Sequence, residues 1–568
     1  MVAKRDFVVR FAGEGGQGMV TASEALAAAA AQVGYHVMTF VTFPSQIMGG
    51  PTWSQCRISV TPALSNGDEL DVLVAFNEEA YMTHKDAVKK DGVIIFNSGD
   101  FNINDDSSSI KALGIPFDEL AKSTGNTRAA NMVVMGALAD LVNMPQSILE
   151  SFVTNKFTRG RPNDAEIISS NIEALSLGKL EIEKNNFHLG ELAASTPPKY
   201  EQILINGNAA ISVGALAAEL DVFIGYPISP ATPILLWMEQ RLIGNGKFVH
   251  QSSSEIESII AIIGAGYSGK KAMTSTAGPG FSLMSEGIGL AWMTEIPIVV
   301  VNVQRGGPAT GLPTKTEQSD LYASIYPAHG DVSIPVIAPG TVEECFYASI
   351  KAINWAERYQ GPVVLLSEHA LAERQTNIPK PDIKKIKIEN RLTYTGENGY
   401  KRYEGEKLSP MPIPGKPGSY VANGSEHDDW GDTTHLPQRH IEMTNRRFNK
   451  LKLLENEEYE SINNHNEISI MPWGGSKGPV QEAYKNLIEE GVEIGWFYTM
   501  FLNPIPKKLL DELKEKKLII VPELNYRGQW SSILRSYGIN AKSITQYTGL
   551  PFKVNYLIEQ IKKNINLE

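Results

Sequence analysis

The sequence predicts an α/β fold of three domains, each a parallel sheet crossed by helices. Two features carry the prediction. Apolar runs of strand length alternate with helical patterns in three separate stretches, as parallel sheets with crossover helices require. The 568 residues, at about 150 per domain, leave room for three or four such units. The expected partition is a domain over residues 1–189, a linker over 190–199, a domain over 200–377, an extended irregular connection over 378–464 and a domain over 465–568.

In the first stretch the strand candidates are Phe7–Phe11, Val37–Phe43, Ser54–Val60, Asp71–Phe76 and Gly92–Phe96. Gly190–Lys199 (GELAASTPPK) is small, polar and proline-bearing, which is a linker composition. The middle stretch offers strands at Val222–Gly225, Lys271–Thr276, Ile296–Val303 and Pro362–Ser367, with helices at Ser254–Tyr267 and Ser282–Met293. Residues 378–464 are polar and contain SPMPIPGKPG at Ser409–Gly418, the make-up of a surface excursion or of an arm that touches another subunit. The last stretch returns to alternation. Strands are expected at Ile468–Pro472, Glu493–Tyr498 and Lys517–Pro522, and helices at Gly478–Glu490 and Pro506–Lys516.

Composition excludes several function classes. Lys and Arg number 52 against 64 Asp and Glu, a net charge of −12, which argues against a nucleic-acid binder. The two cysteines, Cys56 and Cys345, exclude a disulfide framework and a self-contained iron–sulfur cluster on a four-thiolate plan. The ten histidines show no zinc-ligand spacing. No apolar stretch reaches the roughly 18–20 residues of a membrane span, and the N-terminus lacks the apolar core of a signal peptide. A cytoplasmic protein is expected.

Five loops could carry chemistry. Gly13-Glu14-Gly15-Gly16-Gln17-Gly18 satisfies GxGxxG between a strand and a helix, where glycines admit a close anion. The acid that a dinucleotide fold needs about 20 residues on is missing, since no Asp or Glu occurs from Ala25 to Gly67. A nicotinamide cofactor is therefore rejected. A phosphate-approaching loop and a mere packing turn both stay open. A second glycine cluster, Pro44–Pro51, falls where the next strand should end. Tyr226–Pro233 is a stiff, hydroxyl-bearing loop after a strand. Ser254 is an N-cap candidate, which puts Glu255 and Glu257 in a first helical turn; the plain alternative for both is a pair of solvated acids. Ser275–Gly280 and Gln304–Lys315 follow two further strands. Arg305 could grip a carboxylate, or else only bond loop carbonyls.

The combination GEGGQG, YPISPAT, SEIES, STAGPGFSLMSE and QRGGPATGLPTKTEQSD resembles the alpha subunit of the 2-oxoacid:ferredoxin oxidoreductases. The similarity is to the form with a gamma domain fused ahead of the alpha domain, of the 2-oxoglutarate synthase type, and is densest over Tyr226–Asp320. It implies a gamma-type domain, a pyrimidine-type thiamine diphosphate domain and a transketolase-like C-terminal domain. It also implies oxidative decarboxylation of a 2-oxoacid with coenzyme A, with electrons passed to ferredoxin.

By position the resemblance gives Glu255 the catalytic contact to the aminopyrimidine ring, a proton-exchange role that a raised pKa would suit. Arg305 and Thr314 match residues for the 2-oxoacid carboxylate and keto group. Tyr226, Pro227, Ile228, Ser229 and Pro230 match the family's YPITP substrate loop, with Ser229 in place of Thr. Thr276 and Gly278 fall to the cofactor, and Gly13, Gly15, Gly16 and Gly18 to a loop expected to meet coenzyme A. Met48 stands where several relatives carry Arg before the second glycine pair. The chain lacks a GDG…N signature and a cysteine set, so Mg2+, the diphosphate site and a 4Fe–4S cluster fall to a beta subunit. An (alpha–beta)2 heterotetramer is implied. 2-Oxoglutarate is the first substrate expected, with pyruvate, branched-chain and aryl 2-oxoacids as alternatives. A non-catalytic assembly subunit is the alternative from another class.

Overall fold

The computed structural model describes residues 3–42, 50–103, 110–196, 198–406 and 408–566. The chain divides into two compact units, Met1–Ile205 with Arg374–Lys380, and Asn206–Glu373 with Pro381–Glu568.

The first unit holds one eight-stranded sheet. Its strands are β1 (Asp6–Glu14), β2 (His36–Thr42), β3 (Pro51–Ser59), β4 (Leu70–Ala75), β5 (Val88–Asn97), β6 (Lys111–Ile115), β7 (Gln202–Asn206) and, far along the chain, β14 (Gln375–Pro379). Their order is β6-β5-β4-β1-β3-β2-β14-β7. The pairs β1–β4, β4–β5 and β5–β6 are parallel. In contrast to the expected all-parallel sheet, β3 runs antiparallel to both β1 and β2, and β14 runs antiparallel to β2. The reason is chain length: only residues 43–50 join β2 to β3, fewer than the dozen or so a parallel crossover needs. The second glycine cluster occupies this connection, and Pro44–Gly49, Met48 included, lie outside the described residues. Helices Met19–Gln32, Ala130–Leu141 and Asp164–Asn185 enclose one core with Phe7, Phe11, Ile58, Val74, Val133 and Leu175.

The edges of this sheet cross the segment boundaries read from sequence. β7 falls inside residues 200–377 and β14 straddles the 377/378 boundary, yet both extend the first sheet. The linker is tied down as well: Lys4 N donates to Glu191 O at 2.9 Å and Ala193 N to Lys4 O at 2.7 Å.

The second unit holds two sheets. The larger contains β8 (Val222–Gly225), β9 (Phe248–Gln251), β10 (Ala272–Thr276), β11 (Ile298–Gln304), β12 (Val336–Ile337), β13 (Pro362–Glu368) and β18 (Phe501–Asn503) in the order β18-β12-β13-β11-β10-β8-β9. All its pairs are parallel except β12–β18. The smaller contains β15 (Glu460–Ile462), β16 (Ile468–Ile470), β17 (Gly495–Tyr498), β19 (Leu518–Glu523) and β20 (Ala541–Thr545) in the order β15-β17-β16-β19-β20. Only β15 is antiparallel there. The central strands β11 and β13 are buried along their whole length, as apolar runs sandwiched between helices must be.

Residues 378–464, expected as an extended irregular connection, carry little helix or strand over 381–436 but are not confined to the surface. They contain the helix Pro437–Asn449, and Arg402 and Arg446 are fully buried. These cations surround Glu295, itself fully buried: Arg446 Nε lies at 2.9 Å, Lys450 Nζ at 3.0 Å and Arg402 Nη1 at 3.9 Å. Burial alone would raise the Glu295 pKa, but Lys450, Arg446 and Arg402 together hold it well below the usual carboxylate range. A segment rich in Lys and Arg can pack inward here because a buried acid receives its charges.

Among the described residues no helix is long and apolar enough to cross a membrane, and no group of three His, Cys, Asp or Glu is placed to hold a metal ion. Cys56 and Cys345 are both buried and unbridged.

Candidate active site

In the seven-stranded sheet β13, β11, β10, β8 and β9 are consecutive and mutually parallel, so their carboxyl ends open on one edge. β8 delivers Tyr226–Pro230, β9 leads into Ser254 and Glu255, β10 into Ala277–Gly280, and β11 into Arg305–Lys315. Glu255, Tyr226, Pro227, Ile228, Ser229, Pro230, Thr276, Gly278, Arg305 and Thr314 are thus gathered at one sheet edge. Gly13, Gly15, Gly16 and Gly18 belong to the other unit.

The two acids that sequence reading left open are distinguished by their surroundings. Ser254 caps the helix Glu255–Tyr267, its Oγ accepting from Glu257 N at 3.2 Å. The Glu257 carboxylate turns back to accept from Ser253 Oγ at 2.6 Å and Ser253 N at 2.7 Å. These two bonds hold Glu257 below the usual carboxylate range, and the residue is exposed. Glu257 therefore does the work of a cap. Glu255 is 5% exposed, and its carboxylate has no hydrogen-bond or ion-pair partner among the described residues.

The helix Gly278–Leu283 leaves no room beside that carboxylate. A Cβ at Gly280 would lie 2.4 Å from Glu255 Oε1, 2.7 Å from its Cγ and 2.2 Å from Thr276 Oγ1. Only glycine lets the helix backbone approach the acid this closely. Gly280→Ala should displace Glu255 at an overpacking cost of about 1–3 kcal/mol. The expected result is loss of most turnover in the assembled enzyme with chain association retained, measured by activity and gel filtration. Full activity would show that the carboxylate position is not critical.

Arg305 is 8% exposed. Its Nη1 donates to the Ser229 carbonyl at 2.7 Å, which joins the β11 loop to the β8 loop, and its Nε is buried with no partner among the described residues. Burial lowers the Arg305 pKa, and Asp320 opposes that shift. The loop that follows closes on itself: Gly306 N donates to Lys315 O at 3.0 Å and Leu312 N to Gly306 O at 2.8 Å. Thr314 sits half-buried in this closed turn, next to Lys315.

Three further residues at the edge were given no role from sequence: Gly280, Asn302 and Asp320. Asn302 Nδ2 donates to Asp320 Oδ2 at 3.1 Å, and Asp320 N donates to Gln304 Oε1 at 3.0 Å. Asp320 also faces Gly278, where a Cβ would lie 3.1 Å from Oδ2. Burial raises the Asp320 pKa, while Asn302 and Arg305 pull it down. A signal was available for Asn302, an amide in the middle of the apolar run IVVVNVQ.

In the first unit the glycine loop ends β1 and starts the helix Met19–Gln32. Gly16 and Gly18 have φ of 105° and 87°, where side-chain-bearing residues are strained. Gly15 and Gly16 are exposed. Elsewhere in the second unit, a cavity of about 430 Å³ lined by Glu286, Trp292, His329 and Arg447 shares no residue with the edge just described.

Comparison with known proteins shows the family. The profile of the family described as pyruvate flavodoxin/ferredoxin oxidoreductase, thiamine diP-bdg, matches residues 213–446. That of pyruvate ferredoxin/flavodoxin oxidoreductase matches residues 8–181. The 2-oxoglutarate oxidoreductase subunit KorA of Mycobacterium tuberculosis is 32% identical over 96% of this chain and 89% of its own. The 2-oxoacid:ferredoxin oxidoreductase 1 subunit alpha of Aeropyrum pernix is 28% identical over 98% of this chain and 97% of its own. Among solved structures, the 2-oxoglutarate:ferredoxin oxidoreductase from Magnetococcus marinus, with 2-oxoglutarate, coenzyme A and succinyl-CoA bound, is 36% identical. It superposes with a TM-score of 0.93 over 99% of this chain and 100% of that one.

Proposed function

The chain belongs to the 2-oxoacid:ferredoxin oxidoreductases as a fused gamma–alpha subunit, and on that footing we propose that it forms half the active site of an enzyme that oxidises 2-oxoglutarate to succinyl-CoA and CO2. It carries the family's thiamine diphosphate-binding domain. The other half, with Mg2+, the diphosphate contacts and a 4Fe–4S cluster, is assigned to a beta subunit in an (alpha–beta)2 assembly that reduces ferredoxin. The observation that supports this reading most is Glu255, a buried carboxylate without a partner among the described residues, at the mouth of parallel strands and approached on one side by a glycine backbone. Such an acceptor suits the edge of a flat nitrogen heterocycle.

When bound, thiamine diphosphate supplies the nucleophilic carbon and the electron sink that decarboxylation of a 2-oxoacid needs. Glu255 Oε1 then holds the proton shared with the ring edge and so governs its exchange. Burial of Glu255 among Thr276 and Gly280 keeps water from competing for that proton. Arg305 takes the 2-oxoacid carboxylate, with Thr314 toward the keto oxygen and Tyr226–Pro230 as the wall that orients both. The link from Arg305 Nη1 to Ser229 O pre-sets the cation against this wall before substrate arrives. Thr276 and Gly278 shape the cofactor side of the edge. Gly13, Gly15, Gly16 and Gly18 are assigned to coenzyme A, supported by the open, positive-φ backbone at Gly16.

The test is a panel of 2-oxoacids, with coenzyme A and a low-potential dye, on the chain with its co-purifying partner. 2-Oxoglutarate is expected to turn over with the highest kcat/KM. Preference for pyruvate would move the substrate assignment, and no oxidation of any 2-oxoacid would overturn the function. In the same assay Arg305→Ala should raise KM for the 2-oxoacid about 10- to 150-fold, the worth of about 1.5–3 kcal/mol in a charged hydrogen bond.

A further inference from the structure

The strip that follows the Arg305 loop is held by the C-terminal sheet, residue by residue. Thr316 N donates to Gly549 O at 3.2 Å. Gln318 is fully buried and used at every polar atom. Its N donates to Leu524 O at 2.7 Å and its Nε2 to Trp473 O at 2.7 Å, while its Oε1 accepts from Leu524 N at 2.9 Å and its O from Asn525 Nδ2 at 3.1 Å. Gln529 closes the strip from beyond: its Nε2 donates to Ser319 O at 2.6 Å and its Oε1 accepts from Tyr322 N at 2.9 Å. Between these anchors stands Asp320, which faces Gly278 and acts electrostatically on Arg305.

The gripping loop is itself rigid. Glu523, fully buried, accepts from Trp530 N at 2.9 Å, Ser531 N at 3.1 Å and Asn525 Nδ2 at 3.0 Å. At the other anchor the chains touch so closely that a Cβ at Gly549, where φ is 75°, would lie 2.8 Å from Lys315 Cβ. Gln529 and Asn525 grip the strip at its backbone, at Ser319 O, Tyr322 N and Gln318 O. Their effect must pass through the backbone of Thr316–Tyr322.

We propose that Gln529 is a positioning residue for 2-oxoacid binding: with Gln318 it clamps the Thr316–Tyr322 strip so that Asp320 and the Arg305 loop hold the geometry that receives the substrate carboxylate. The proposal rests on the assignment of Arg305 to that carboxylate. It makes substrate affinity, rather than the proton chemistry at Glu255, a property set partly from the C-terminal sheet.

The experiment measures KM and kcat for 2-oxoglutarate, with thermal midpoints, on the complex of the full chain with its partner. The variants are Gln529→Ala, Gln529→Glu, Arg305→Ala and the double variant Gln529→Ala/Arg305→Ala. Gln529→Ala should raise KM about tenfold, with kcat within about twofold and the midpoint lowered modestly, since it removes two buried hydrogen bonds remote from the reacting atoms. Gln529→Glu, which keeps the acceptor for Tyr322 N but sets a carboxylate oxygen against Ser319 O, should raise KM at least as much as Gln529→Ala. The double variant should raise KM no further than Arg305→Ala alone, the signature of two residues acting on one contact. An unchanged KM in both Gln529 variants, with KM raised by Arg305→Ala, overturns the clamp and leaves the Arg305 assignment standing. An unchanged KM in Arg305→Ala overturns that assignment and the clamp with it. A fall in kcat and midpoint at constant KM makes Gln529 a folding residue only and also overturns the proposal. If Gln529→Ala fails to assemble, Gln529→Glu decides by the same criteria.

Discussion

Glu255→Gln is expected to cut 2-oxoacid decarboxylation by the assembled enzyme by a factor of about 100 to 10,000, the range a positioned proton-transfer group supplies. The amide keeps the size and most of the packing of the carboxylate but cannot exchange a proton. Assembly and thermal midpoint should therefore stay near wild type. Glu257→Gln is the matched control: it lies two residues on in the same first turn, and the structure gives it to the helix cap. Glutamine keeps an acceptor oxygen for that cap, so this variant should cost little stability and little turnover. If Glu255→Gln retained near-normal turnover, or if the two variants behaved alike, the role given to Glu255 would be wrong.

The second large effect falls on stability. Glu295→Gln leaves Arg446, Lys450 and Arg402 in a buried site without the acid that offsets them. Breaking a buried ionic cluster by removing one partner costs about 3–5 kcal/mol, to be read from urea midpoints. The pH dependence has a definite sign. The Glu295 pKa is depressed in the folded chain, so its contribution is complete above its unfolded value of about 4.3. That contribution is lost as pH falls below about 4.3 toward the folded value. Wild type should therefore shed stability on acidification that Glu295→Gln no longer has to lose. Equal urea midpoints for the two proteins at pH 7 would refute this.

How much of this the sequence disclosed depends on the range of the interactions concerned. Alternation of apolar runs revealed four strands of the seven-stranded sheet, β8, β10, β11 and β13, and β8 was read at its observed bounds, Val222–Gly225; the short strands β9, β12 and β18 escaped it. Because that sheet is parallel, loops after its strands had to share an edge, and Arg305 and Ser229 do meet there. Glu255 and Glu257 look alike in sequence. Only the burial of one and the turned-back bonds of the other tell them apart. Gly280 was invisible because its significance is a distance to a side chain some 25 residues earlier in the chain. Asp320 depends on Asn302 in the same way. Residues 378–464 read as a surface arm since polar composition reports solvation on average. It cannot report that Arg402 and Arg446 share a buried acid more than a hundred positions upstream. The antiparallel placement of β3 could have been read from the brevity of its connection to β2.

The manner in which the eight-stranded sheet is completed bears on how such a gene can be cut. Its last two strands, β14 and β7, are supplied from beyond residue 200. A break placed at the small, proline-bearing stretch near residue 195 would produce one polypeptide missing two rows of backbone pairing. The other would carry those rows as exposed, adhesive ribbons. Separating the two products cleanly would require new caps on both cut edges.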